Sequence, residues 1–234
     1  MTRIDCAGFL FDMDGVLVDS TPAVARVWSR WAAKHGFDPE WATKLAHGRP
    51  SLATIQEILP NASPEIQHRE NQWMEREEIA DVAYVVALPG AVELLSVLAP
   101  EQFAVVTSAT LPLAEVRLRA GGVLKFAHHL ITSADIQRGK PDPEPYLKGA
   151  ALLHFRPVDC VVIEDAPSGI RSGKAAGARV IALRTTTTDD ELLAAGADWI
   201  VNDCSALRFS PMPVGSQLTI ELAASPDTRA PRMR

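Results

Sequence analysis

The chain has 234 residues, 47% of them hydrophobic and 22% charged, which allows a substantial buried core and excludes a wholly disordered protein. That length suits one core domain with a smaller insert. A formal net charge of -6 gives no electrostatic reason to expect nucleic acid or an anionic membrane as partner, although a local basic site could serve a small phosphate.

Asp5 falls among the first residues and no basic leader followed by a long apolar segment is present, so no signal peptide is expected. The longest apolar runs are too short to span a bilayer. Cys6, Cys160 and Cys204 are odd in number and lack C-x-x-C spacing, as expected of small core hydrophobes in a reducing compartment. A cytoplasmic protein, monomer or homodimer, is the expectation.

Residues 7–11 (AGFLF) read as a buried strand that runs directly into Asp12-Met13-Asp14 and then Gly15. Two carboxylates one residue apart are costly to bury without a partner, and a metal ion is the first candidate. From about residue 21 to residue 86 no buried strand is expected. Val24, Val27, Trp28, Trp31 and Ala32 instead share one helical face, as do Ile66, Trp73 and the apolar positions around it. Trp28, Trp31, Trp41 and Trp73 all lie in this insert, where packing into a small helical core is the expected role. Leu88-Pro89-Gly90 closes the insert with residues suited to a hinge. The insert is assigned to residues 18–87, and the core domain to residues 1–17 and 88–222.

The rest alternates. A helix over 90–98 leads to a strand over 103–106 that ends in Thr107-Ser108, and a helix over 113–120 precedes a short strand at 130–131. His128-His129 does not suggest a metal pair, because adjacent side chains on a strand point to opposite faces. The loop Arg138-Gly139-Lys140-Pro141 comes next, then a helix over 146–153 and a strand over 160–163 ending in Glu164-Asp165. A helix over 168–176 and strands at 180–183 and 199–201 follow. Residues 207–222 hold two strand-like pieces around Val214-Gly215-Ser216, a possible hairpin, and residues 223–234 are expected to fray. Nearly all the strands lack apolar/polar alternation. The pattern predicts an α/β protein: a doubly wound parallel sheet covered on both faces, with a small α-helical cap inserted.

In such a sheet the carboxyl ends of the strands line the ligand crevice. Asp12, Asp14, Thr107, Ser108, Glu164 and Asp165 would converge there, with Lys140 joining from its loop. Carboxylates supply hard oxygen ligands for Mg²⁺, while a hydroxyl, backbone amides and a lysine donate to an anion beside the metal, which makes a phosphate site. One carboxylate could attack phosphorus to form an aspartyl-phosphate. A second, two residues on and on the same side of an extended chain, could protonate the leaving oxygen and then deprotonate water. Asp12 and Asp14 have that spacing. Taken singly, Lys140 reads equally as a surface lysine, Thr107 as an ordinary strand end, and Glu164 and Asp165 as caps of the next helix.

Four segments in order, FDMDGVLVDS, VVTSAT, RGKPDPEPY and VVIEDAPSGI, resemble the signatures of the haloacid dehalogenase superfamily, and the resemblance covers about residues 7–201. It implies Asp12 as nucleophile and metal ligand, and Asp14 as acid/base with its carbonyl also on Mg²⁺. It implies Thr107 and Lys140 as phosphoryl-binding, Asp165 as metal ligand with Glu164 in support, and Ser108 and Gly15 as contributors mainly of backbone amides. The insert resembles the superfamily's small helical cap. Within it His47-Gly48-Arg49 is similar to a segment that sugar- and polyol-phosphate phosphatases direct at substrate; a solvated helix end is the other reading of His47 and Arg49.

The resemblance implies a Mg²⁺-dependent phosphatase of a small sugar or polyol phosphate. Dehalogenases of the superfamily lack the second aspartate, and its phosphonate-cleaving members use a Schiff-base lysine in the cap, where this chain has Lys34 and Lys44; Asp14 argues against both. A sugar-phosphate mutase of the β-phosphoglucomutase kind shares the cap and both aspartates and stays open. A phosphorelay receiver combines Asp, Thr and Lys in a different order and has no helical insert.

Overall fold

Residues Gly8–Phe11 carry no polar side chain and are buried throughout, which puts them inside a sheet covered on both faces. In the computed structural model, which describes residues 2–46, 49–209 and 218–222, the elements run β1 (Thr2–Cys6), β2 (Gly8–Phe11), β3 (Val18–Asp19), α1 (Thr21–His35), α2 (Pro39–Ala46), α3 (Ser51–Ile58) and α4 (Pro64–Ala80). There follow β4 (Val86–Ala87), α5 (Ala91–Val97), β5 (Phe103–Val106), α6 (Leu111–Ala120), β6 (Leu130–Ile131), α7 (Glu144–Leu152) and β7 (Cys160–Glu164). The chain goes on through α8 (Pro167–Ala175), β8 (Arg179–Leu183), α9 (Asp189–Ala195), β9 (Trp199–Val201), β10 (Leu207–Phe209) and β11 (Leu218–Leu222).

Six strands form one parallel sheet in the order β6-β5-β2-β7-β8-β9. The chain winds outward from β2 to β5 and β6, then returns to β7 on its other side, so the order reverses at β2. At such a switch point the crevice outside the strand ends is open to a ligand. Alternate residues bury against opposite layers. Phe9 and Phe11 pack with α5 and α6 residues such as Leu94, Leu95 and Leu118. Leu10 faces the other way, with Tyr146, Ala150 and Ile170.

A second, antiparallel sheet, β1-β11-β10, packs Ile4, Leu218 and Ile220 into the first of these layers. The two pieces of 207–222 therefore do pair, Leu207 with Leu222 and Phe209 with Ile220. Residues 214–216 and 223–234 lie outside the described residues. No strand was expected at Thr2–Cys6. Only Ile4 and Cys6 of its five residues are buried, and its partner β11 lies at the other end of the chain.

The helical insert leaves the core just beyond β2 and returns before α5, its two ends tied by the antiparallel pair Val18↔Ala87 and Asp19↔Val86. Helices α1–α4 bury their own cluster around Val27, Trp28, Trp31, Ala42, Ile55 and Met74. Two expectations fail here. Trp41 is 47% exposed, because α2 turns Ala42 and Ala46 inward. On α4 the buried positions are Gln67, Glu70, Met74 and Glu78, whereas Ile66 is exposed and Trp73 only packs at the margin. The polar groups are tolerated because each has a partner: Gln67 Nε2 donates to the Leu59 carbonyl at 2.9 Å, and Glu70 Oε2 accepts from Trp31 Nε1 at 3.2 Å. Among the described residues, no helix is long and apolar enough to cross a membrane.

Gly90 begins α5 in the left-handed region at φ 79°, and a Cβ there would overlap the Ser205 amide nitrogen. Gly90→Ala is expected to destabilise the protein by about 2 kcal/mol or more. Chemical denaturation checks this, and an unchanged midpoint would show that the Ser205 turn yields.

Candidate active site

Strand β2 ends one residue before Asp12, and its register aligns Phe11 with Val105 of β5 and Ile163 of β7. The polar residues at or just beyond the ends of these strands, Asp12, Thr107 and Glu164-Asp165, are therefore brought to one end of the sheet. They line a cavity of about 180 Å³ together with Asp14, Gly15, Ser108 and Lys140. Its opposite wall comes from the helical insert and includes Trp28, Thr43, Arg49 and Glu78.

Lys140 is the hub. Its ammonium donates to Asp12 Oδ1 at 2.6 Å, to Glu164 Oε1 at 2.7 Å and to the Val106 carbonyl at 3.1 Å, and it lies 4.9 Å from the centre of the Tyr146 ring. Burial alone would lower its pKa, but the charges of Asp12 and Glu164 and their hydrogen bonds outweigh that and raise it. Glu164 spends both oxygens. Oε1 also accepts from the Tyr146 hydroxyl at 2.7 Å, and Oε2 accepts from the amides of Asp165 and Ala166 at 3.0 and 3.2 Å.

Carboxylates outnumber cations here. Ligand oxygens of Asp12, Glu164 and Asp165 lie within 4.8 Å of one another, with Lys140 as the cation bonded to this cluster. Burial, opposed by Lys140, pushes the pKa of Asp12 up to about 7. Burial and the neighbouring charges of Glu164 and Asp12 raise Asp165 well above the ordinary carboxylate value. An all-oxygen set that carries this much excess negative charge fits a hard divalent cation such as Mg²⁺.

Asp14 is held separately. Its Oδ2 accepts from Arg117 Nη1 at 3.0 Å, and Arg117 Nη2 lies 3.3 Å from Glu78 Oε2 on α4. One buried guanidinium thus ties the second aspartate to the helical insert. Beside it, Thr110 Oγ1 donates to Glu75 Oε1 at 2.6 Å. Burial raises the Glu78 pKa, with Arg117 opposing.

Not every sequence expectation carries through. Gly15 sits at φ 76°, and its amide donates to the Val18 carbonyl at 2.8 Å, so it is spent within its own turn and is not offered to an anion. Its absent side chain matters instead, since a Cβ would overlap Asp165 Oδ2. Thr107 is buried and its Oγ1 accepts from the Ala109 amide at 3.1 Å, whereas Ser108 is exposed at the cavity. Arg49 lines the far wall with Nη2 on Glu57 Oε2 at 2.6 Å; His47 lies outside the described residues. Neither Lys34 nor Lys44 lines the cavity, and Lys34 pairs with Glu70 at 3.4 Å.

Three participants were not expected. Arg117 shares the buried face of α6 with Leu113, Ala114 and Leu118, so a cation at apolar spacing was the available signal. Tyr146 closes the segment RGKPDPEPY. Thr186, which donates to Asp165 Oδ2, lies in the loop between β8 and α9.

Two outcomes are expected. Arg117→Met leaves the buried Glu78 and the half-buried Asp14 without their cation and is expected to destabilise the protein by about 2 kcal/mol or more, measured by denaturation. Asp12 has a folded-state pKa near 7, above its ordinary value of 3.8, so the folded state holds the extra proton and its stabilising contribution is lost as pH rises through 7. The cation-free protein should therefore lose stability on going from pH 6 to pH 8. Mg²⁺ should raise the melting temperature more at pH 8 than at pH 6, and an equal rise at both would contradict the assignment.

The sequence profile of the haloacid dehalogenase-like hydrolases matches residues 6–177. Hexitol phosphatase A of Escherichia coli is 43% identical over 212 residues, covering 90% of this chain and 97% of that one. Glycerol-1-phosphate phosphohydrolase 1 of Saccharomyces cerevisiae is 35% identical over 213 residues, covering 85% of this chain and 83% of that one. The crystal structure of a family IA, variant 3 haloacid dehalogenase hydrolase from Entamoeba histolytica superposes with a TM-score of 0.76 at 27% identity, covering 85% and 93% of the two chains. With its fold, its sequence profile and these relatives in agreement over most of its length, the chain belongs to the haloacid dehalogenase-like hydrolases.

Proposed function

We propose that this chain is a Mg²⁺-dependent phosphatase that hydrolyses the phosphate ester of a small sugar or polyol through a phosphoryl group carried on Asp12. The observation that carries the reading is the convergence of Asp12, Asp14, Thr107, Lys140 and Asp165, from four separate segments, on one cavity closed by the helical insert. The names of the hexitol and glycerol phosphatases support the substrate class.

Asp12 supplies the attacking oxygen. Lys140, bonded to that carboxylate, holds it in place and donates to the phosphoryl group as the phosphorus–oxygen ester bond breaks, with Thr107 and Ser108 donating from the end of β5. Asp14 gives its proton to the leaving alcohol oxygen. The same carboxylate then takes a proton from the water that attacks phosphorus, which frees inorganic phosphate and regenerates Asp12. Glu164, with four hydrogen bonds already made, keeps Lys140 at its post. Asp12, Asp165 and the Asp14 carbonyl would hold Mg²⁺, which would supply charge neutralisation at the phosphoryl oxygens. The helical insert lies over the cavity and excludes bulk water from this chemistry.

The test is phosphate release from a panel of hexose, pentose, hexitol and glycerol phosphates, with Mg²⁺ or EDTA. Wild type should release phosphate with Mg²⁺ only, and Asp12→Asn should lose at least about a thousandfold in kcat. Glucose bisphosphate with β-glucose 1-phosphate belongs in the panel: isomerised sugar phosphate without net release would replace the phosphatase by a mutase.

A further inference from the structure

Buried polar atoms in folded proteins nearly always have a hydrogen-bond partner, and each exception asks for a reason. Among the described residues two buried side-chain atoms have none, Asp14 Oδ1 and Thr43 Oγ1. Both residues line the same cavity, Asp14 on the core side and Thr43, from α2, on the side of the helical insert.

The two orphans differ in chemistry. Asp14 has its other oxygen on Arg117, which leaves Oδ1 for a partner across the cavity. Thr43 sits in a helix, where a threonine hydroxyl ordinarily donates to the carbonyl four residues back. Thr54 does this, with Oγ1 on the Pro50 carbonyl at 3.4 Å. Thr43 Oγ1 makes no such bond. The hydroxyl is shielded and both its donor and its acceptor capacity are unspent. The insert's side of the cavity mixes apolar Val24, Trp28 and Ala46 with polar Thr21, Arg49 and Ser51.

We infer that Thr43 is a specificity-determining residue whose hydroxyl pairs with a distal hydroxyl of the leaving alcohol, while Asp14 Oδ1 meets the ester oxygen of the same molecule. The inference rests on the proposed phosphatase reading and deepens it. One ligand completes both orphans if it carries an ester oxygen at one end and a polar group further along, as a polyol or sugar phosphate does and a phosphate ester with an apolar group does not. A wall of mixed apolar and polar side chains suits a chain whose carbons bear both C–H and O–H faces. A site built to bond a hydroxyl discriminates against an analogue that lacks it, because the protein hydroxyl is then left unpaired.

The experiment compares wild type, Thr43→Val and Thr43→Ser on a hexitol phosphate, on glycerol phosphate and on phenyl phosphate, which has no hydroxyl to offer. Valine keeps the shape and removes a hydroxyl without a protein partner, so Thr43→Val should melt no lower than wild type. Its kcat/KM should fall roughly tenfold on the polyol phosphates, mostly through KM, and stay within about twofold on phenyl phosphate. Thr43→Ser should recover most of the loss. An equal loss on phenyl phosphate, or no loss on any polyol phosphate, would overturn the inference and leave the phosphatase standing. A wild type that releases phosphate from no polyol would remove the reading beneath it, and the inference with it.

Discussion

Parallel pairing of β2 with β7 forces carboxylates together: once Phe11 lies beside Ile163, the residues that follow, Asp12 and Glu164-Asp165, must share the space beyond the strand ends. Their mutual repulsion in a buried setting is the constraint that the rest of the site answers. Lys140 reaches in from the loop between β6 and α7, and its ammonium bonds to Asp12 and Glu164 at once. Tyr146, in the first turn of α7, holds Glu164 and places its ring beside the ammonium, so the loop and the helix are fixed by the same contact. One cation faces three carboxylates, and burial first, with the neighbouring carboxylates adding to it, raises the pKa values of Asp12 and Asp165.

A second cation works at the border between core and insert. Arg117 stands between Asp14 and Glu78, two carboxylates from different parts of the fold. The attachment of the helical insert is thereby made partly through a residue of the site itself. The insert's own core of Trp28, Trp31, Ile55 and Met74 keeps its helices together, while polar contacts such as Arg117 with Glu78 and Thr110 with Glu75 hold α4 to α6. These polar contacts add to an apolar part of the same border, where Val18, Ala23 and Val85 join the core cluster of Leu94, Leu95 and Leu118.

Two buried side-chain atoms remain unpaired among the described residues, and both residues line the cavity. Stability alone would favour a valine at position 43. Local rules of good packing are broken where a ligand completes the structure, and strain or unmet bonding elsewhere in the described core is scarce.

The sequence by itself determined the parallel sheet and the residues at its carboxyl ends. Uninterrupted apolar runs such as FAVV and CVVI admit little besides strands buried on both faces, and a carboxylate or threonine directly after such a run has nowhere to go but the crevice. It also determined that residues between β3 and β4 form helices, since the spacing of Val27, Trp28, Trp31 and Ala32 is local information. What only the tertiary structure decided depends on partners distant along the chain. Strand β1 exists because β11 lies beside it, although its own five residues bury only Ile4 and Cys6. Helix α4 turns Glu70 and Glu78 inward and leaves Ile66 outside because Trp31, His35 and Arg117 are there to meet the carboxylates. Gly15 matters for the side chain it lacks beside Asp165, and its amide is consumed within its own turn. In each case the local pattern states what a residue can bond or bury, and only folding supplies the group that it meets, because a hydrogen bond or an ion pair belongs to two residues and a sequence position holds one.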